Sequence, residues 1–147
     1  MNSGKTRKVF INGPVSTGFI ADAIAKHSTK MNIGAHSIFL GQVRNDDIGD
    51  QKVAAIEYTA YVEMAEEKFH EIREDAFGKY SLICLHIYHS LGVIKSGEIN
   101  LFVFVSSVHR KDAIKASEEI VERIKKEAPV WGKEIFENDG FQWKINT

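Results

Sequence analysis

The apolar run "INLFVFVSSV" ends on two adjacent cationic residues, His109 and Arg110, and an amphipathic run, "KDAIKASEEIVERIKKE", starts directly after them. A helix beginning there leaves unpaired backbone N–H groups and the positive end of its dipole beside those side chains. The combination makes an anion receptor suited to a phosphate; read more plainly, it is a solvated strand end. Asp112, in the first turn, offsets part of the charge. Arg44 stands in the same relation to the run "SIFLGQV", with Gly41 leaving room for a close backbone approach. Two strands that each end in arginine suggest one cationic mouth at an edge of a sheet.

The helical run supplies a third candidate. On a wheel at about 100° per residue, Ala113, Ile114, Ser117, Ile120, Val121, Ile124 and Ala128 form the stripe that packs on the sheet. Lys115, Glu119, Arg123 and Lys126 point away from it. Lys125 falls on the boundary, in line with Ile114, Glu118 and Val121. A boundary lysine lays its stem on packed surface and its amine at an edge. Either it merely reaches solvent, or it sits in a partly desolvated pocket. In such a pocket, burial lowers its pKa and fits the amine for proton transfer or acyl chemistry. The wheel leaves both readings open.

These residues need elements to position them. "RKVFI" reads as a short first strand, and Ser16 or Thr17 can cap a helix to about His27, with Phe19, Ile20, Ala23 and Ile24 on one face. "AHSIFLGQV" and "VAAIEYTAY" read as strands about the polar loop "RNDDIGDQK". From Glu63 to about Gly78, the residues Ala65, Phe69, Ile72 and Ala76 recur at helical spacing. "SLICLHIYHSLGVI" supplies one or two strands, "SGE" a turn, and "INLFVFVSSV" a strand apolar enough for burial on both faces. The tail "EIFENDGFQWKI" reads as short strands about a turn at Asn138–Gly140. The sum is α+β, with about three helices and a mainly antiparallel sheet. A length of 147 residues fits a single domain, 1–147, with a core of its own.

Composition narrows the class of function. The net charge of −1 provides no global field to recruit nucleic acid or an anionic membrane, so any anion site must come from local clustering. No apolar stretch is long enough for a bilayer, and "MNSGKTRKVF" lacks the apolar centre of a signal peptide, so a cytoplasmic protein is expected. Cys84, the single cysteine, cannot form an internal disulfide and reads as a core residue. His86 and His89, three apart in a strand, face opposite sides and should not share a metal. His27, His36 and His70 read as surface or boundary residues, and Tyr58, Tyr61 and Phe69 as packing. "NDDIGD" lacks the spacing and closing glutamate of an EF-hand calcium loop.

Together, "FLGQVRNDDIGD", "AAIEYTAYVEMAEEKF", "SSVHRKDA" and "IKKEAPVWGKEIFE", in this order and spacing from about Ser37 to Trp143, resemble the large, catalytic subunit of molybdopterin synthase. The resemblance implies an α/β hammerhead-like fold with an additional small antiparallel sheet. It also implies a sulfurtransferase of molybdenum cofactor biosynthesis, which builds the dithiolene of molybdopterin on a pterin phosphate substrate, cyclic pyranopterin monophosphate (precursor Z). Sulfur arrives as a thiocarboxylate on the Gly-Gly tail of a small ubiquitin-like sulfur-carrier subunit. Such large subunits form the homodimer core of a heterotetramer and carry no metal or organic cofactor of their own. By the same resemblance, Arg44, His109 and Arg110 hold the pterin substrate, with Gln42 and Val43 beside Arg44. Lys125 meets the incoming tail as acid/base or oxyanion partner, Pro129 and Trp131 shape the turn carrying the next cation, and Gly132, Lys133 and Glu134 join the substrate side.

One departure matters. The family pattern Pro-x-Trp-Lys-Lys/Arg-Glu reads "PVWGKE" here, so Gly132 stands where a second lysine is usual. Its role is lost, moved to Lys133 through glycine's backbone freedom, or supplied by another chain. Gly132 thus keeps a second hypothesis open: a non-catalytic module binding a ubiquitin-like tail or a phosphate ligand. A histidine-dependent phosphoester hydrolase is a third, with no nucleophile motif to support it.

Overall fold

The computed structural model describes residues 8–145. In chain order the elements are β1 (Phe10–Asn12), α1 (Thr17–His27), β2 (Ala35–Gln42), β3 (Asp47–Ile48), β4 (Gln51–Ala60) and α2 (Val62–Lys79). They continue with β5 (Leu82–Lys95), β6 (Ile99–Ser107), α3 (Arg110–Glu127), β7 (Val130–Phe136) and β8 (Phe141–Trp143). The expected first strand starts later than "RKVFI", and Arg7 lies outside the described residues.

One sheet runs β2-β6-β5-β4-β7-β8, with β1 added to β5 and β3 to β4. β1 pairs parallel to β5, whereas β2 with β6, β5 with β6, and β4 with β5 and β7 are antiparallel. The long strand β5 belongs to both halves: Leu82–His89 pairs with β6, and Gly92–Lys95 pairs with β4. Gly92 sits at the changeover with φ 91°, a conformation that favours glycine. The small antiparallel sheet is therefore continuous with the main one, as the α+β hammerhead-like reading requires.

Burial explains the layers. From Leu101 to Val105 every β6 side chain is fully buried, because both faces are covered. On one face Leu101, Val103 and Val105 join Leu85, Phe69 and Ile72 of α2, and Ala113, Ile120 and Ile124 of α3. On the other, Phe102 and Phe104 meet Ile20 of α1. The Ser16 hydroxyl caps α1 by accepting from the Phe19 N–H at 3.1 Å. His27, expected at the surface or boundary, is buried at the end of α1.

Three sequence expectations for the C-terminal third change. In the α3 stripe, Ala116 is buried, while Ile114 is 56% exposed. Arg123 is not simply solvated: α2 lies alongside α3, and the guanidinium reaches Asp75 at 2.7 Å and Glu71 at 3.3 Å on α2, and Glu127 at 2.8 Å on its own helix. Trp131 does not shape a turn with Pro129, because β7 begins at Val130 and pairs Trp131 with Thr59. Replacing Arg123 by Met is expected to cost about 1–2 kcal/mol in urea unfolding, since it removes charge-assisted bonds between helices. Lys126→Met, which touches only Glu122 at 3.9 Å on an exposed face, should stay within about 0.5 kcal/mol.

Candidate active site

A cleft of about 300 Å³ opens where the end of β2 faces the small sheet. Gln42 and Arg44 come from the end of β2, Tyr58 from β4, and Asn100 from the start of β6. Lys125 comes from the last turn of α3, Glu134 from β7, and Lys144 from just beyond β8. A smaller recess shares Tyr58, Lys125 and Lys144 and is walled by His89 and Gly132.

Lys125 is the half-buried amine that the wheel placed on the boundary. Burial is the main cause holding its pKa below the ordinary 10.5, and the positive charge of Lys144 adds to it. Arg44 lies at the rim, with 71% of its side chain exposed and a single ion pair to Asp46 at 3.2 Å. Exposed pairs of this kind are weak, so the guanidinium can turn toward a ligand.

The floor is polar and tightly fitted. The Asn100 amide donates to Tyr58 Oη at 2.5 Å, while Asn100 Oδ1 is buried without a partner. An unmet buried acceptor is costly, and Asn100 itself lines the cleft. Gly41 makes its position possible: a Cβ there would lie 2.5 Å from Asn100 Oδ1. Burial raises the Tyr58 phenol above its ordinary 10.0, opposed by the Asn100 bond. Glu134, also buried, accepts from Gln142 Nε2 at 2.9 Å.

His89 stands behind this floor with its ring edge-on to Tyr58 at 5.2 Å. Its Nδ1–H donates to the Ser90 carbonyl at 2.8 Å. Burial drives its pKa down from 6.5 to about 4, the Ser90 bond opposing and the Lys125 charge assisting. The imidazole is thus neutral across the physiological range.

The residues singled out in the sequence divide into four places. Gln42, Arg44, Lys125 and Glu134 meet in the cleft, and Gly132 faces its recess. Val43 lies beneath: its side chain is buried, its N–H donates to Glu98 O at 3.0 Å, and its carbonyl accepts from Gly97 N–H at 2.8 Å. It anchors the corner that presents Arg44. Lys133 projects from the other face of β7, as strand alternation demands, with Nζ 3.3 Å from Glu57 and 4.8 Å from the Phe141 ring centre. It lines neither cleft nor recess.

His109 and Arg110 line a separate depression with Gly34, Ala35 and Lys111. Antiparallel pairing sets Ala35 opposite Ser107 and Gln42 opposite Ile99, so the two cationic strand ends lie roughly 23 Å apart along the strand. One chain alone does not form the shared mouth.

Sequence reasoning missed Lys144, Asn100, His89 and the cleft role of Tyr58. Lys144 had a usable signal. Counting across the Asn138–Gly140 turn pairs Lys133 with Trp143 and sets Lys144 beside Gly132, where its N–H donates to Gly132 O at 2.9 Å. Lys144 thereby enters the recess that Gly132 lines.

Fold and cleft define a small α+β domain built to receive an anionic ligand beside paired amines. Residues 14–127 match the family model described as MoaE protein. A relative from Pyrococcus abyssi named "Molybdopterin synthase catalytic subunit" is 35% identical over 138 residues, covering 94% of this chain and 91% of its own. The crystal structure of molybdopterin synthase from Staphylococcus aureus superposes with TM-score 0.80 at 35% identity, covering 95% of this chain and 98% of that one. A complex of subunits 1 and 2 of molybdopterin-converting factor from Helicobacter pylori shares the fold, with TM-score 0.78 at 23% identity over 91% of this chain and 87% of its own. The chain belongs to the MoaE protein family. Among the described residues no helix is long and apolar enough to cross a membrane.

His89 sets a pH signature. Unfolding frees it to bind a proton at about 6.5, whereas the native state resists until about 4. Its contribution is complete above pH 6.5 and is lost as pH falls toward 4, amounting to about 3 kcal/mol. Urea titrations between pH 7 and 4.5 should show this loss, and His89→Gln should flatten it.

Proposed function

We propose that the chain is the catalytic subunit of a molybdopterin synthase. It transfers sulfur from the C-terminal thiocarboxylate of a small ubiquitin-like carrier subunit to cyclic pyranopterin monophosphate, forming the dithiolene of molybdopterin. The observation that carries this reading is the half-buried Lys125 beside a second amine, Lys144, in a cleft rimmed by Arg44. Both reactants are anions, and their encounter needs cations that offset repulsion and orient the reacting atoms. The names of the relatives support the same reaction, and a cytoplasmic location accords with it.

In this mechanism the carrier's thiocarboxylate sulfur forms a C–S bond to the pterin's substituent as a C–O bond at that carbon breaks, the oxygen leaving as water or staying with the phosphate. Water then cleaves the acyl–sulfur bond, and a second carrier repeats the sequence to complete the dithiolene. Sulfur stays on the substrate, and the carrier leaves as a carboxylate. Lys125 serves the hydrolysis: as amine it takes a proton from the attacking water, and the ammonium so formed stabilises the tetrahedral oxyanion. A lowered pKa makes the amine form accessible at lower pH than in free lysine. Lys144 takes the place of the family's second lysine, and Gln42, Asn100 and Glu134 complete the polar wall. Gly132 gives room for Tyr58, and Lys133 supports β8 through Phe141 and Trp143.

Single-turnover mixing with precursor Z and thiocarboxylated carrier tests these roles. Lys125→Ala is expected to lose about 100-fold or more in product formation while retaining carrier binding. Lys144→Met should slow the reaction and move the rising limb of its pH profile to higher pH, because removing a positive neighbour raises the Lys125 pKa. Lys133→Ala should leave that profile in place. Carrier binding with no sulfur transfer by the unaltered chain would instead identify a non-catalytic binding module.

His109 and Arg110 enter through a second copy of the chain, at the homodimer core of a heterotetramer with the carrier subunits. The separation of these residues from Arg44 within one chain supports the assignment, as does β2, an edge strand with Ile38 and Leu40 partly exposed. Arg44→Ala and Arg110→Ala, each inactive alone, should regain about a quarter of wild-type activity when unfolded together and refolded, since mixed dimers keep one intact site. No recovery would place all three cations in one chain's site.

A further inference from the structure

On the opposite face of the sheet from α2 and α3, three metal-ligating groups converge that the sulfur-transfer cleft does not use. Cys84 and His86, two apart on β5, project to the same side, and His27, the last residue of α1, closes over them. The ligand atoms of His27, Cys84 and His86 all lie within 4.8 Å of one another. The two imidazoles meet Nε2 to Nε2 at 3.0 Å.

The surroundings orient these ligands. His27 Nδ1 lies 2.7 Å from the Ala23 carbonyl, which can only accept, so Nδ1 holds the proton and Nε2 presents its lone pair inward. Fixing a histidine tautomer through its second nitrogen is how proteins aim imidazole at metals. His86 must then donate its Nε2–H to His27 in the metal-free state. Phe104 forms an apolar floor, 4.8 Å from the His27 ring centre, with His36 on its far flank at 5.1 Å. Lys30 Nζ lies 2.8 Å from Cys84 Sγ, where a thiolate would accept its hydrogen bond. Lys30 is itself exposed and can swing out to water when a cation enters.

We propose that His27, Cys84 and His86 form a binding site for one zinc-type ion, with water in the fourth position, tying the end of α1 to β5. A tetrahedral zinc asks for separations of ~3.3 Å between nitrogens and ~3.6 Å between nitrogen and sulfur. The imidazoles therefore part by a few tenths of an ångström, and the thiolate closes by about one at most. The ion replaces the proton held between the two Nε2 atoms, which passes to solvent or to Nδ1 of His86. One thiolate with two imidazoles favours zinc and cobalt over magnesium and calcium.

Cobalt(II) titration of the chelator-treated, reduced chain tests the site. Saturation is expected at one equivalent, with visible bands of tetrahedral intensity and a near-ultraviolet thiolate-to-cobalt charge-transfer band, all abolished by added zinc. The chain has one cysteine, so that band has a single possible source. Cys84→Ser should remove it, and His27→Gln and His86→Gln, checked for folding by circular dichroism, should each weaken binding at least about tenfold. Lys30→Ala should leave binding intact or tighter. Absence of stoichiometric cobalt, or weak binding shared equally by all the variants, overturns the proposal.

Discussion

Double-sided burial of β6 is the constraint on which the rest of the structure depends. Its hydrogen bonds go to β2 on one edge and β5 on the other, and its side chains pack on α2 and α3 through one face and α1 through the other. A strand so enclosed presents polar chemistry at its ends. Asn100 occupies one end and lines the cleft, and His109 and Arg110 leave the other. Because β2 runs antiparallel to β6, Arg44 emerges with Asn100 and away from Arg110. The division of the cationic groups into two sets follows from sheet direction alone.

The same α3 helix treats its cations in opposite ways. Hydrogen bonds to Glu127 and Asp75 hold the Arg123 guanidinium above its ordinary range, and the contact joins two helices. Two residues further on, burial and a neighbouring ammonium push Lys125 down. The first arrangement stabilises the native state, whereas the second raises its energy when no anion is bound. Arginine suits the first because it stays charged and forks between carboxylates; lysine suits the second because its proton is labile. A thiocarboxylate or an oxyanion brought beside Lys125 relieves the repulsion that the fold imposes.

Periodic features were legible in the sequence, and features that depend on neighbours were not. Ala65, Phe69, Ile72 and Ala76 marked α2 by spacing, Ser16 marked the start of α1, and the apolar run at 99–108 marked a strand covered on both faces. The wheel placed Lys125 on the boundary because helix geometry alone decides that. It turned Arg123 away from the sheet but could not name its partners, because the flank facing α2 looks like solvent until α2 is docked. Pro129 and Trp131 are expected to shape a turn, but seven residues of cross-strand pairing with β4 draw Trp131 into β7. The meeting of His27 with Cys84 and His86 joins a helix end to a strand far along the chain, and no local pattern announces such a contact.

Gly132 shows why a position in space matters more than a position in the sequence. A Cβ at this residue would stand 2.9 Å from Ile56 Cγ2 and 3.2 Å from Tyr58 Cε1, so glycine is what lets the tyrosine ring lie against β7. That ring holds the Asn100 amide, and the amide in turn occupies the space that Gly41 leaves open. A side chain at 132 would press on the Ile56 methyl and on the edge of the Tyr58 ring that holds Asn100. Lys144 avoids the conflict, since it enters the same recess from the adjacent strand end, with its backbone bonded to Gly132. The glycine at 132 and the lysine at 144 thus form one arrangement in the recess.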